Sequence, residues 1–311
     1  MTVSEIEQLR GVLPALVSPL TREGKADGAA VERLVERMLD GGVHGLLALG
    51  STGETASLDE PARRAILRAV VKAAAGRVPV LCGVAQSHLG AARVEVEAAA
   101  ELGADAALVA PPFYYPMDQP TLLAFYRELA SSSAIPILLY NIPQFTKVVA
   151  DPASVATLAR EKAIAGIKDS SRDFEYFEAV AIATREIPSF RLFTGSDTML
   201  LASLAMGGAG TICGAANVAP EWVVRIYAEF MRGDLQAARS SQDALYRLVI
   251  AVRGGVFPAA IKAALHMQGV CEPWLAPPVQ KLDDSAVRAL REKLEAWDLL
   301  QAPVAHDAAK T

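Results

Sequence analysis

Short apolar runs alternate with longer amphipathic stretches along the chain. The runs are Leu13–Val17, Gly45–Leu49, Val78–Val84, Ala106–Ala110, Ile135–Tyr140, Ile164–Ile167, Leu192–Thr194 and Gly210–Cys213. They lack the polar-apolar alternation of a sheet with one wet face, so they read as strands covered on both faces. Between them, apolar positions recur at helical spacing. In Asp27–Asp40, Val31, Leu34, Val35, Met38 and Leu39 fall on one face. Asp59, Glu60 and Pro61 make a helix start for Asp59–Ala75. Glu101–Gly103 ends another helix, and Asp151-Pro152 begins one more.

The last residues of successive runs lie 19 to 35 positions apart. Eight strand–helix units at that period predict an α/β chain folded as a (β/α)8 TIM barrel. An open doubly wound sheet usually has fewer strands and a glycine-rich first turn, and neither a G-x-G-x-x-G after a strand nor a P-loop is present. After the eighth run, Glu221–Met231, Asp234–Val252, Pro258–Met267 and Asp283–Leu300 pattern as helices. The expected organisation is a barrel over residues 1–220 and a C-terminal helical extension over 221–311, packed on the barrel as one functional unit. The tail Gln301–Thr311 is expected to fray.

Composition narrows the function classes. Of 311 residues, 52% are hydrophobic and 21% charged, too apolar for a disordered chain and enough to bury a large core. The net charge is −5 and no basic patch stands out, so no nucleic-acid partner is expected. Cys82, Cys213 and Cys271 are odd in number and widely spaced, with no CxxC, against a disulfide framework or a zinc site. They fit a reducing cytoplasm. The start, MTVSEIEQLRG, carries Glu5, Glu7 and Arg10 and no apolar core of a secretory signal. Thr198–Pro220 runs 23 residues without a charge, long enough to cross a bilayer. Gly207, Gly208, Gly210, Gly214, Asn217 and Pro220 break it into a helix, a turn and a short strand, so it reads as buried core and no membrane is expected.

Barrel enzymes carry their reactive groups at the C-terminal ends of strands. At the end of the sixth run stands Lys168, in Gly166-Ile167-Lys168-Asp169-Ser170. Held inside a barrel mouth, it would be desolvated, which favours a neutral amine able to attack carbonyls. Alternatively it marks a strand end and snorkels to solvent. Tyr140, in Tyr140-Asn141-Ile142-Pro143, reads as core filler by itself and as a proton shuttle beside a nucleophilic lysine. Gly50-Ser51-Thr52-Gly53-Glu54-Thr55 is either an ordinary turn or a nest of N–H groups and hydroxyls for a carboxylate. Pro111-Pro112-Phe113-Tyr114-Tyr115-Pro116 is a stiffened aromatic loop facing a pocket or a partner. Asp197, in Thr194-Gly195-Ser196-Asp197, either binds substrate hydroxyls or caps the next helix. Cys213 reads as small core filler.

Taken in order, GxxPAxxSPL at 11–20, GSTGE at 50–54, PPFYYP at 111–116, YNIP at 140–143, GIKD at 166–169, TGSD at 194–197 and GGAGTICGAANV at 207–218 resemble one known group. It is the pyruvate-dependent class I aldolase family that contains dihydrodipicolinate synthase and N-acetylneuraminate lyase. The resemblance runs from about residue 10 to 300. It implies that Lys168 is the Schiff-base lysine and Tyr140 the proton-transfer tyrosine. It implies that Thr52 is the hydroxyl linking Tyr140 to a second tyrosine, Tyr114, which reaches in from a neighbouring subunit. Ser51 and Thr52 would cradle the pyruvate carboxylate, and Gly195, Asp197 and Ile212 would fall among the substrate-binding positions. The family is commonly a tetramer built from tight dimers, so a homotetramer is expected. The implied chemistry is attack of Lys168 on a 2-oxo acid, with the iminium as electron sink for making or breaking the C3–C4 bond. Neither metal nor cofactor is expected to take part.

Two positions depart from the family pattern. The synthases usually carry arginine two residues after the YNxP proline, where this chain has Phe145. Phenylalanine cannot form arginine's bidentate pair with a carboxylate. The neuraminate lyases usually have Glu after the aspartate of the TGSD-type motif, where this chain has Thr198. The expected reaction is therefore reversible cleavage or condensation of pyruvate with an aldehyde, on a 2-keto-3-deoxy sugar acid type substrate. The alternatives are 4-hydroxy-tetrahydrodipicolinate synthesis, dehydration of a 2-keto-3-deoxy acid through the same lysine, or a non-catalytic 2-oxo-acid-binding protein.

Overall fold

The computed structural model describes Ile6 and residues 9–300. Eight strands, β1 (Gly11–Pro14), β2 (Leu46–Ala48), β3 (Val80–Val84), β4 (Ala106–Val109), β5 (Ile137–Asn141), β6 (Gly166–Asp169), β7 (Arg191–Thr194) and β8 (Gly210–Cys213), lie in the order β1-β8-β7-β6-β5-β4-β3-β2. All are parallel. The two ends of that order meet. His44 N donates to Val12 O and Leu16 N to Leu47 O, both at 2.9 Å, and Ala15 bridges Leu47. The sheet is thus a barrel, as the eight-fold pattern predicts.

Side-chain alternation along each strand sorts the core into two layers. Leu13, Leu47, Leu81, Leu108, Leu138, Tyr140, Phe193 and Ile212 fill the barrel interior. The intervening Val12, Leu46, Val80, Val109, Leu139, Ile167 and Leu192 face outward into the larger core under the helices. Several helices start on aspartate. Asp27, Asp59, Asp118, Asp234 and Asp283 each accept from the backbone N–H three residues on, at 2.8 to 3.0 Å. That satisfies a donor the helix leaves unpaired.

Two strands lie off the apolar runs. β1 starts at Gly11, ahead of the run Leu13–Val17. Leu16 and Val17 are apolar because they are buried in the following loop, where Val17 N donates to Asn217 Oδ1 at 3.0 Å. β6 extends past Ile167 to include Lys168 and Asp169, both buried. A run defined by apolarity stops where a strand begins to carry charged groups.

Thr198–Pro220 resolves into a short turn at Asp197–Met199, the helix Leu200–Ala205, strand β8 and a second turn at Ala215–Asn217. None of the described helices is long and apolar enough to cross a membrane. The C-terminal helices are Pro220–Met231, Leu235–Val252, Ala259–Met267 and Asp284–Ala296. The last was expected to reach Leu300. It ends at Ala296, and Asp298 takes a left-handed φ of 56° while Leu299 N turns back to Leu294 O at 2.9 Å. Leu245, Leu248, Ile261, Leu265, Leu290 and Leu294 belong to the same outer core as the barrel strands. The expected frayed tail, 301–311, lies outside the described residues.

Candidate active site

The C-terminal ends of the strands open into a cavity of about 350 Å³. Register decides what faces it. Tyr140 on β5 pairs with Lys168 on β6, and Lys168 pairs with Phe193 on β7. Register partners in a parallel sheet point to one face. Tyr140 and Phe193 are interior residues, so Lys168 points into the barrel. It is only 4% exposed, which removes the snorkelling alternative. Its Nζ donates to Tyr140 Oη at 3.3 Å and sits 4.3 Å from the ring centroid. Among the described residues no carboxylate lies within ion-pair distance of that nitrogen.

Asp169, the next residue, faces the other way. Its carboxyl accepts from Asn141 Nδ2 at 2.8 Å, Ser171 N at 3.1 Å and Ser171 Oγ at 2.9 Å. Burial raises its proton affinity above the ordinary aspartate value, and the Asn141 and Ser171 bonds offset part of that. The clamp joins the ends of β5 and β6 and so holds Tyr140 beside Lys168.

The loop after β2 brings hydroxyls from the opposite side. Ser51 Oγ lies 3.4 Å from Tyr140 Oη. The expected neighbour of Tyr140 was Thr52; the hydroxyl found there is that of Ser51. The loop turns tightly, with Gly53 N to Gly50 O at 3.0 Å and Glu54 N to Ser51 O at 3.1 Å, so successive side chains diverge. Thr52 is buried and lines the same cavity. Among the described residues, the Ser51 and Thr52 N–H groups have no backbone acceptor.

Glu54 anchors this loop to the C-terminal helices. Its carboxylate pairs with Lys262 Nζ at 2.5 Å and accepts from Ala276 N at 2.7 Å, while Lys262 Nζ also donates to Trp274 O at 2.6 Å. Both side chains are buried. Burial lowers the proton affinity of Lys262, and the attraction of Glu54 offsets only part of it.

From β7 and β8 come Gly195, Asp197 and Ile212, all in the cavity wall. A Cβ on Gly195 would stand 2.0 Å from Ser170 Oγ and 2.8 Å from Lys168 Cε. The glycine is what lets the lysine lie across this point. Gly195→Ala is therefore expected to displace the amine and slow turnover by about a hundredfold. The clashing atoms are side-chain ends, so the melting temperature should shift little. A loss of stability as large as the loss of rate would overturn this placement.

Asp197 does not cap the following helix, as one sequence alternative had it. Its Oδ1 accepts from Ala215 N at 2.9 Å, tying the β7 loop to the β8 loop. Tyr114 is not brought to the cavity of its own chain. It is 85% exposed at φ 97°, edge-on to Tyr115. Cys213 is buried core, as expected. The sequence reading missed Arg172, Arg253, Phe257 and Ile261, which also line the cavity. Arg172 was within reach, four residues past Lys168. Arg253 lies beyond the last strand, where strand-end reasoning does not look. A second cavity of about 290 Å³ adjoins the first, shares Ser51, Tyr140, Ile142, Phe145 and Phe257 with it, and is otherwise largely apolar.

An eight-stranded parallel barrel with a buried lysine and tyrosine at its C-terminal mouth has the layout of a barrel enzyme's active site. The geometry agrees with comparisons to known proteins. The chain belongs to the dihydrodipicolinate synthetase family, which matches residues 8–297. A 4-hydroxy-tetrahydrodipicolinate synthase of Phenylobacterium zucineum is 38% identical over 277 residues, covering 89% of this chain and 93% of the relative. An uncharacterized DapA-like lyase of Halobacterium salinarum is 34% identical over 292 residues, covering 94% and 95%. Among solved structures, YagE, a prophage protein from Escherichia coli K12 in complex with pyruvate, superposes with a TM-score of 0.90 at 28% identity, covering 94% and 99%.

Proposed function

We propose that the protein condenses or cleaves a 2-oxo acid and an aldehyde through a Schiff base on Lys168. The observation that carries this reading is the contact of Lys168 Nζ with Tyr140 Oη at 3.3 Å, and of that oxygen with Ser51 Oγ at 3.4 Å, in one cavity. The Lys168 amine adds to the C2 carbonyl of pyruvate, and the resulting carbinolamine takes a proton from Tyr140 and loses water, giving an iminium. The iminium accepts the electron pair of the C3–C4 bond as it breaks, leaving an enamine; in the forming direction it first loses a C3 proton, and C3 of the enamine attacks the aldehyde carbon. Tyr140 exchanges the proton at the C4 oxygen, and Ser51 passes it on. The free N–H groups of Ser51 and Thr52 hold the pyruvate carboxylate and fix C2 near the amine, which lowers the entropic part of the barrier. Pyruvate as the 2-oxo acid is supported by the pyruvate complex of YagE.

The substrate reading is a 2-keto-3-deoxy sugar acid type. Phe145, 57% exposed at the cavity edge, offers an apolar ring where a synthase-type arginine was looked for. The names of relatives such as the Phenylobacterium zucineum protein favour a second reading, 4-hydroxy-tetrahydrodipicolinate synthesis. Product analysis with pyruvate and a panel of aldehydes, aspartate semialdehyde included, separates the two. The exposure of Tyr114 and its left-handed φ, costly for a non-glycine residue, support the reading in which it serves a neighbouring subunit's site in a homotetramer.

Borohydride reduction in the presence of pyruvate tests the central claim. The expected result is a pyruvate adduct on the peptide that contains Lys168; an unmodified peptide overturns it. Ser51→Ala should slow turnover about a hundredfold and more than Thr52→Val does. Equal or reversed effects in steady-state assays would return the relay to Thr52.

A further inference from the structure

The Lys168 cavity has a second pole of positive charge. Arg172, in the loop after β6, and Arg253, at the C-terminal end of the helix Leu235–Val252, both line it. The lining holds three cationic residues, Lys168, Arg172 and Arg253, and one acidic residue, Asp197. Among the described residues neither arginine has a carboxylate within ion-pair distance. Asp197 attracts Arg253, but its Oδ1 is engaged by Ala215 N. Burial and the charge of Arg172 both weaken the hold of Arg253 on its proton, while Asp197 and Tyr246 strengthen it. Two arginines that face one cavity and outnumber its single carboxylate repel each other, and a bound anion between them offsets that repulsion. The planar guanidinium fork suits carboxylate and phosphate oxygens.

We propose that Arg172 and Arg253 form an oxyanion subsite for the far end of the aldehyde partner. The aldehyde then carries a carboxylate or a phosphate, and the joined substrate is a 2-oxo acid with an acid group at both ends. This rests on the lysine reading above and adds the charge of the partner to it. Arg253 is half-buried and Arg172 exposed, so Arg253 contributes more and the share of Arg172 falls with added salt.

The test gives the full-length protein pyruvate with glyceraldehyde, glyceraldehyde 3-phosphate or succinic semialdehyde. At least one charged aldehyde should exceed the neutral one in kcat/KM by about a hundredfold, and the better of the two identifies the oxyanion. Arg253→Leu should shrink that ratio by about ten- to a hundredfold, Arg172→Leu by less, and Arg253→Lys should restore part of it. A neutral aldehyde used as well as both charged ones, or a ratio that survives both leucine substitutions, overturns the subsite. Binding without turnover keeps the two claims separate. In calorimetry, 2-oxoglutarate should bind at least about tenfold tighter than 2-oxobutyrate, and Arg253→Leu should erase the difference. A failed borohydride adduct with that difference intact would reject the lysine chemistry and retain the subsite; an adduct without the difference would do the reverse.

Discussion

Lys168→Ala is expected to lose the borohydride-trapped pyruvate adduct entirely and to lower turnover by on the order of a thousandfold or more. The electron sink in this chemistry is the imine nitrogen, and among the described residues no other lysine lines the cavity. Lys262, the other buried lysine, is held by Glu54 and by Trp274 O. Peptide mapping therefore distinguishes the two sites. Lys168→Arg keeps a positive charge in place but cannot form the imine, so it should be as inactive as alanine. Stability should move in the opposite sense or not at all. The Lys168 amine is buried with Tyr140 as a hydrogen-bond partner and no carboxylate beside it, so its removal relieves burial of a polar group. Turnover surviving in the alanine variant, or an adduct on another residue of the native protein, would refute the assignment.

Lys262→Met should be strongly destabilising, by about 3–5 kcal/mol. For a chain of this size that corresponds to a fall in melting temperature on the order of 10 °C. The reason is the partner left behind. The Glu54 carboxylate is almost fully buried and would keep only the Ala276 N–H. The desolvation of two buried charges largely cancels their attraction, so the pair contributes little net stability. Glu54→Gln combined with Lys262→Met should therefore recover most of the loss. Turnover should fall in the single variant as well, since Glu54 closes the loop that carries Ser51 and Thr52. Denaturant titration of the three variants checks this; a single variant within about 1 kcal/mol of the native protein would refute it.

The site was legible where a polar residue interrupts an apolar pattern. Lys168 stands out because charge follows Ile164–Ile167, Tyr140 because it ends an apolar run, and Asp197 because it is the first charge after Leu192–Thr194. What could not be read is which atoms meet. Ser51 and Thr52 are adjacent hydroxyls in one loop, and only the tight turn at Gly50–Glu54 decides that Ser51 reaches Tyr140. Asp197 had two sensible roles in the sequence; it does not cap the helix but lies in the cavity wall, with Oδ1 accepting from Ala215 N of another loop. Arg253 was invisible because it enters the cavity from a helix far along the chain.

The amino-acid sequence by itself determined the eight strand–helix units, the aspartates that start several helices, and the kinds of chemical group at the barrel mouth. These depend on residues a few positions apart, through periodicity and capping. Tertiary structure alone decided the pairing of Tyr140 with Lys168, the burial of Glu54 against Lys262, and the placing of Arg172 and Arg253 around one cavity. Those contacts arise when the barrel closes and the C-terminal helices cover its mouth, which brings together residues that no local pattern relates.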